Sequence, residues 1–475
     1  MSKPNVLWIC TDQQRFDTIG GFNNQVVQTP NLVRLMKSGM TFNYCFSQSP
    51  VCTPSRASFL TGRYPRTTRT RQNGQSIPTD EVLVPRLFAD SGYSCGLSGK
   101  LHLSACHPSV CEGPERRIND GYTVFHWSHH PNPDWETNAY IQWLSQNGVE
   151  FSPKRYQNSK YVQTSVPIEW HQTTWCANKA IEFFTNRRSE EWLFSVNFFD
   201  PHHPFDPPQE LLEKYLARLG DMELPNYVPG ELANKSIFQN IDHQGAYGSY
   251  QSFVYDEMSP DDHRMVRAAY YAMIELIDIQ VGRMLDALSD TGQLENTIVV
   301  FMSDHGEMLG DHGIYWKGPY FYDPAVRVPL IMAGPGIERN KVSEALVELV
   351  DLAPSLLDAV GLPRHDGLQG QSLWPLLTGE TASAGRTSVY SEYYDAMPWH
   401  RNPSPRATMV RTTTHKLVRY HDQNTELYDL KIDPTETTNR WDDPSCSEIK
   451  LALLQIMADR MAETVDPLPR RIAMW

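Results

Sequence analysis

Cys52 opens the run Cys52-Thr53-Pro54-Ser55-Arg56, with a proline two positions after the cysteine. Proline suits the first turn of a helix, so Cys52 is expected just ahead of a helix N-terminus. Backbone N–H groups and the helix dipole stabilise an anion there, and a thiol at such a point is open to activation. Arg56, four residues on, is spaced to fold back over the same point. The plain alternative is an ordinary buried cysteine beside a helix start. Asp12 follows the apolar run 6–10, and Asp304-His305 follows the β-branched run 297–302. The C-terminal ends of parallel strands converge on one crevice, so these positions are expected to meet. Oxygen ligands in such a crevice favour hard cations: Ca2+, Mg2+ or Mn2+. Taken alone, Asp12 also reads as a turn or helix-cap residue.

Cationic groups recur nearby in the pattern. Lys100 and His102 follow Ser98-Gly99. His202 lies in Asp200-Pro201-His202-His203-Pro204-Phe205, and Lys317 in Tyr315-Trp316-Lys317-Gly318. Such groups offset developing negative charge, and histidine suits proton transfer near neutral pH. His203 reads as a loop or packing residue. Asn73, before Gly74, reads equally as a turn residue or a polar contact. The loop 104–136 carries His107, Arg116, Arg117, His126, Trp127, His129 and His130. These groups suit a sugar or an anionic ring, or a loop that packs on itself. Their spacing matches no zinc pattern.

The elements that must hold these residues alternate between strand and helix. Apolar or β-branched runs at 6–10, 193–199, 297–302 and 328–332 predict strands. Helices are expected at 32–37, 82–91, 170–187, 260–288 and 349–360, the fourth with Ser259 as N-cap and Pro260 at its first position. This order predicts an α/β fold with a large doubly wound mixed sheet flanked by helices. From about residue 386 short alternating runs at 388–394, 407–412, 416–420 and 426–430 predict a smaller antiparallel sheet, followed by a helix at 447–464. The expected division is therefore 1–385 and 386–475. The end of the chain, 470–475, is apolar enough to dock on its own subunit or on a neighbour in a homo-oligomer.

Composition excludes other classes. The chain has 475 residues, 40% hydrophobic and 21% charged, which rules out disordered and coiled-coil classes. A net charge of −14 makes nucleic acid a poor partner, although screening lets a local basic pocket still bind an anion. No run is long enough to span a membrane. The first strand begins within a few residues of Met1 without a cleavage-site pattern, which reads as cytoplasmic. The eight cysteines are then not expected to form a disulfide framework, though Cys106 and Cys111 are close enough in sequence to bridge.

The segment from Cys52 to Gly62-Arg63, with Cys-x-Pro-Ser-Arg followed by Leu60-Thr61-Gly62, resembles the type I sulfatase family of the alkaline-phosphatase superfamily. Four further segments fit in the family's order: Thr11-Asp12-Gln13, the stretch from Gly92 to Gly99-Lys100-Leu101-His102, Ser303-Asp304-His305-Gly306-Glu307, and Glu426-Leu427-Tyr428-Asp429-Leu430 with Asp433-Pro434. The resemblance implies that Cys52 is oxidised to formylglycine by a maturation enzyme. The hydrated aldehyde attacks sulfur, and its second hydroxyl later expels sulfate. It also implies one divalent cation, Ca2+ before Mn2+ or Mg2+, held by Asp12, Gln13, residue 52, Asp304 and His305. Lys100, His202 and Lys317 would grip the sulfate, with Asn73 beside them. His102 would act as base, His202 or Lys317 as acid, and Arg56 would support the nucleophile. Many sulfatases carry Asp where Gln13 stands and Asn where His305 stands. The phosphonate monoester hydrolases of the superfamily share the Asp-Gln and Asp-His pairs. The implied activity is hydrolysis of a small sulfated carbohydrate. The alternatives are phosphonate monoester or phosphodiester hydrolysis, or a non-catalytic binding protein should Cys52 stay a thiol.

Overall fold

The computed structural model describes residues 3–22, 24–249 and 251–474. Its centre is a nine-stranded mixed sheet. From one edge the strands run Lys341–Glu348, Gly39–Phe46, Leu330–Ala333, Thr297–Ser303, Asn5–Thr11, Trp192–Asn197, Ser94–Gly99 and Val124–Trp127, with Arg327–Val328 also on Gly39–Phe46. Asn5–Thr11 pairs in parallel with Trp192–Asn197 on one side and Thr297–Ser303 on the other. Only Leu330–Ala333 and Arg327–Val328 run against the rest. The C-terminal ends of Asn5–Thr11 and Thr297–Ser303 therefore lie side by side, with Thr11 opposite Ser303. The next residues, Asp12 and Asp304, leave the sheet side by side at the C-terminal ends of these two central strands.

Both faces of this sheet are covered, which explains the unbroken apolar run at 6–10. Val6, Trp8 and Cys10 pack with Phe59 and Leu60 of helix Cys52–Thr61. Leu7 and Ile9 pack on the other face with Ile277 and Val281 of helix Pro260–Asp290. Each such side chain contributes roughly 1.5–3 kcal/mol on full burial. The long helix begins as expected, with the Ser259 hydroxyl accepting from Asp262 N–H in a capping box.

The structure departs from the sequence reading in places. The strand expected at 328–332 is split at Pro329 into two pairings, because proline has no N–H for the ladder. Strands Gly39–Phe46, Lys341–Glu348 and Ser94–Gly99 carried no clear signal. Gly96 and Gly99 weaken strand propensity, yet they are required: a Cβ on Gly96 would meet the Phe194 ring at 2.6 Å, and one on Gly99 would run into the Asn197 carbonyl. A second, four-stranded antiparallel sheet is built from Val389–Tyr394, Arg406–Arg411, His415–Tyr420 and Glu426–Asp429, with helix Ser447–Glu463 after it. At the chain end Ile472 and Met474 are exposed, and Trp475 lies outside the described residues. Cys106 and Cys111 are free thiols. No helix among the described residues is long and apolar enough to cross a membrane.

Candidate active site

Cys52 is the first residue of helix Cys52–Thr61, and all ten of that helix's residues are buried. Pro54 occupies the first turn, and no side chain caps Val51. Thr53 N–H instead donates to Asn73 Oδ1 at 3.0 Å, so Asn73 is tied to this helix start. The Cys52 sulfur is 3.1 Å from His305 Nε2, 3.1 Å from Lys317 Nζ and 3.7 Å from Asp12 Oδ1. Burial raises the thiol pKa and Asp12 adds to that. Lys100, Lys317 and His305 outweigh both and push it down to about 5. A helix N-terminus acts in the same direction.

Asp12 and Asp304 are fully buried. Burial works against their ionisation, but Lys100 and then Arg56 hold the Asp12 carboxyl far below the usual carboxylate range. Asp12 pairs with Lys100 Nζ and, at 3.4 Å, with Arg56 Nη2. Arg56 Nε binds Asp304 Oδ2 at 2.8 Å, and its Nη1 donates to the Lys100 carbonyl at 2.8 Å. Arg56 therefore spans the two carboxylates rather than lying over the sulfur, and it is a positioning residue. The other Asp304 oxygen accepts from Gln13 N–H at 3.1 Å and His305 N–H at 2.9 Å.

His305 Nδ1 is 2.9 Å from the Gly306 carbonyl, which can only accept. Nδ1 therefore carries a proton, and Nε2 is the atom turned to Cys52 and Asp12. Burial lowers the imidazole pKa, but Asp304 and the sulfur raise it above its usual value. Donor atoms of Asp12, Cys52, Asp304 and His305 all lie within 4.8 Å of one another. Two carboxylates, an imidazole with its free nitrogen turned inward and residue 52 are a donor set that fits one divalent cation.

Gln13 sits beside these four with its side chain already engaged. Its amide nitrogen donates to Glu307 and its Oε1 accepts from Lys317 Nζ at 2.6 Å. Lys317 Nζ also meets His202 Nε2 at 2.8 Å. His202 Nδ1 faces the His203 carbonyl, so Nδ1 is the donor and Nε2 accepts from Lys317. Burial first, then Lys317, hold His202 well below its usual pKa. The structure thus brings Asp12, Gln13, Cys52, Arg56, Asn73, Lys100, His202, Asp304, His305 and Lys317 to one place. His102 lies beside it: its ring packs on His129, with centroids 4.6 Å apart, and its Nδ1 has no hydrogen-bond partner.

The loop 104–136 divides. Arg116 donates to the Ile77 carbonyl, Arg117 binds Asp120, and His126 packs on Trp175, all of them contacts within the fold. His129 and His130 instead pack against Phe199, whose ring lies under Lys100. Three groups join the site that the sequence reading did not assign to it. Glu307 holds Gln13 and also accepts from Leu309 N–H at 2.8 Å. His203 stacks on Trp316 at 4.0 Å and lies 3.3 Å from Gln13 Nε2. Tyr247 packs on Trp316 and on the half-exposed Trp399, completing an aromatic wall beside Lys317. The aromatic residues are scattered in sequence, and only the Trp316-Lys317 adjacency signalled any of them.

Comparison with known proteins agrees with this geometry. The C-terminal N-sulphoglucosamine sulphohydrolase family matches residues 310–463. An N-acetylglucosamine-6-O-sulfatase of Bacteroides thetaiotaomicron is 24% identical, over 98% of this chain and 87% of its own. The solved structure of phosphonate monoester hydrolase SpPMH from Silicibacter pomeroyi has a TM-score of 0.85 at 26% identity, covering 98% of this chain and 96% of that one. An arylsulfatase of Clostridium perfringens is 30% identical over 92% of this chain and 90% of its own. With the sulfatase family itself matching residues 4–362, the chain belongs to the sulfatase family of hydrolases.

Proposed function

We propose that the protein hydrolyses the sulfate ester of a small carbohydrate, with residue 52, oxidised to formylglycine, as its nucleophile. One observation carries this reading: the Cys52 sulfur shares a single buried point with Lys317 Nζ, His305 Nε2 and Asp12 Oδ1 at a helix N-terminus. The sulfur stands in for the oxygen substituents of a hydrated aldehyde. When bound, the cation supplies Lewis acidity and the hydrated aldehyde a hydroxyl nucleophile.

The chain's own residues do the rest. Lys100 and Lys317 bind the sulfate oxygens and offset the charge that builds on them. Lys317 donates to His202 Nε2, so the proton offered to the leaving oxygen sits on Lys317 and His202 orients it. His102 accepts a proton as the product ester breaks down. Arg56 fixes the separation of Asp12 and Asp304. The wall of Trp316, Tyr247 and Trp399 gives a sugar ring an apolar face to lie on. The name of the Bacteroides relative supports a sulfated sugar. Ca2+ is the first choice for the ion, with Mn2+ and Mg2+ behind it. A formylglycine-generating enzyme is the required partner, in a cytoplasmic setting, and neither nucleic acid nor membrane is part of the reading.

A second reading, phosphonate monoester or phosphodiester hydrolysis, is favoured by Gln13 and His305 and by the likeness to SpPMH. Parallel rates on an aryl sulfate, an aryl phosphonate and an aryl phosphodiester separate the two, and sulfate release from sulfated mono- and disaccharides names the substrate. Sulfate turnover is expected to lead. Phosphonate turnover ahead by about 100-fold, or roughly 2.7 kcal/mol of transition-state preference, would reverse the order.

A further inference from the structure

His102, Cys106 and His129 form a second cluster, apart from the four donors around Cys52. Their ligand atoms lie within 4.8 Å of one another. His102 and Cys106 are each more than nine-tenths buried. Three ring nitrogens in this cluster are buried without any hydrogen-bond partner: Nδ1 of His102 and both Nδ1 and Nε2 of His129. A buried polar atom left unpaired costs about 1–3 kcal/mol, so three at one point need an explanation. Cys106 is a free thiol among them. The loop carrying His102 is fixed from below by the buried Glu115 carboxylate, which accepts from His102 N–H at 2.6 Å, Leu103 N–H at 2.6 Å, Ser104 N–H at 3.1 Å and Trp127 Nε1 at 2.9 Å.

We propose that His102, Cys106 and His129 are a site for one thiophilic divalent cation of the Zn2+ type, distinct from the hard-cation site, and that its occupation withdraws His102 from catalysis. Two imidazoles and a thiolate are the donor set of a borderline-soft ion, not of Ca2+ or Mg2+. Tetrahedral Zn2+ holds such donors roughly 3.3–3.6 Å apart, so side-chain rotations of about 1 Å close the set. The fourth position is left to water. Burial and then Lys100 hold both imidazoles well below their usual pKa, leaving nitrogen lone pairs free at neutral pH. Burial and then Glu115 keep the Cys106 thiol protonated until the metal arrives. Binding forms one Zn–S and two Zn–N bonds, and the thiol proton leaves to solvent with no change of oxidation state. A metal on His102 Nδ1 places the ring proton on Nε2, and a ring in that form cannot accept a proton. This last step rests on the reading of His102 as the base. The fold makes the site, since strand Val124–Trp127 separates His129 from His102 and Cys106 along the chain.

The test uses the full chain saturated with Ca2+. Co2+ replaces Zn2+ as a spectroscopic probe, followed by Zn2+ titration of binding and turnover. A near-ultraviolet sulfur-to-Co2+ band is expected in wild type and in Cys52→Ala, and is expected to vanish in Cys106→Ser. Zn2+ affinity is expected to fall at least about tenfold in Cys106→Ser and in His129→Gln, with turnover of Cys106→Ser in the absence of Zn2+ within about twofold of wild type. Inhibition by Zn2+ is expected in wild type, reversed by a zinc-selective chelator and absent from both variants. A Co2+ band or a Zn2+ affinity that survives Cys106→Ser overturns the site. Cys106-dependent binding that leaves turnover untouched upholds the site and overturns the role of His102 as base.

Discussion

Two of the buried charge networks in this molecule differ in what they leave open. Around Glu348, two carboxylates face two guanidinium groups, and the charges close on themselves. Glu348 accepts from Tyr64 OH at 2.5 Å, Arg460 Nη2 at 3.0 Å and Tyr390 N–H at 2.6 Å, while Asp351 is held by Arg386 and by Gln371 N–H at 2.7 Å. Around Cys52, two carboxylates face three cations, Arg56, Lys100 and Lys317. That leaves a local positive surplus in a protein whose net charge is −14. The surplus converges on one sulfur rather than on another protein charge. Buried charge is by itself weak support for function, because structural networks bury it too. On the proposed reading, the unbalanced network aimed at residue 52 is the part that binds the sulfate.

The contrast is broken most severely at Asp304. Asp304→Ala is expected to lower turnover by about 10³-fold or more and to release the bound cation, because half of the site's carboxylate charge goes with it. Metal analysis of the purified variant checks this, and full occupancy would remove Asp304 from the ligand set. Lys317→Ala is expected to cost about 10²–10³-fold in turnover while leaving the urea midpoint near wild type, since it relieves rather than creates a charge imbalance. Arg460→Met should do the reverse. Removing one partner of the closed network is expected to cost about 3 kcal/mol in urea unfolding, with turnover of the folded protein within about twofold.

The smallest effect is on acid stability. Burial raises the Glu348 pKa, but Arg386 and Arg460 outweigh it and hold the carboxyl below its usual value. Because the folded value lies below the unfolded one, this stabilisation is complete above the unfolded value, roughly pH 4.3, and is lost as pH falls through the folded value. Unfolding midpoints measured from pH 6 down to pH 3 should fall less steeply in Arg460→Met than in wild type.

Cys52 and the two carboxylates beside it were legible because their signals are local. Pro54 announces a helix start two residues after Cys52, and β-branched runs deliver Asp12 and Asp304 to strand ends. Their meeting follows from the pairing of Thr11 with Ser303. Strand Ser94–Gly99 was less legible, because it uses glycine to admit Phe194 and the Asn197 carbonyl rather than β-branched residues. The bracing of Gln13 by Glu307 and the aromatic wall of Tyr247, Trp316 and Trp399 depend on contacts between segments far apart in the chain. No periodicity records such contacts. The reach of Arg56 to Asp304 and Asp12 was missed for the same reason, since four-residue spacing pointed only back along its own helix.

The central claim is that residue 52 acts as an oxidised cysteine. Its most direct measurement is the mass of the peptide carrying residue 52, from protein made with and without a co-expressed formylglycine-generating enzyme, set against sulfate release by the same samples. Conversion lowers that mass by about 18 Da. Turnover is expected to rise in proportion to the converted fraction and to be absent from Cys52→Ala. Sulfate release by fully unconverted protein, or by Cys52→Ala, would contradict it.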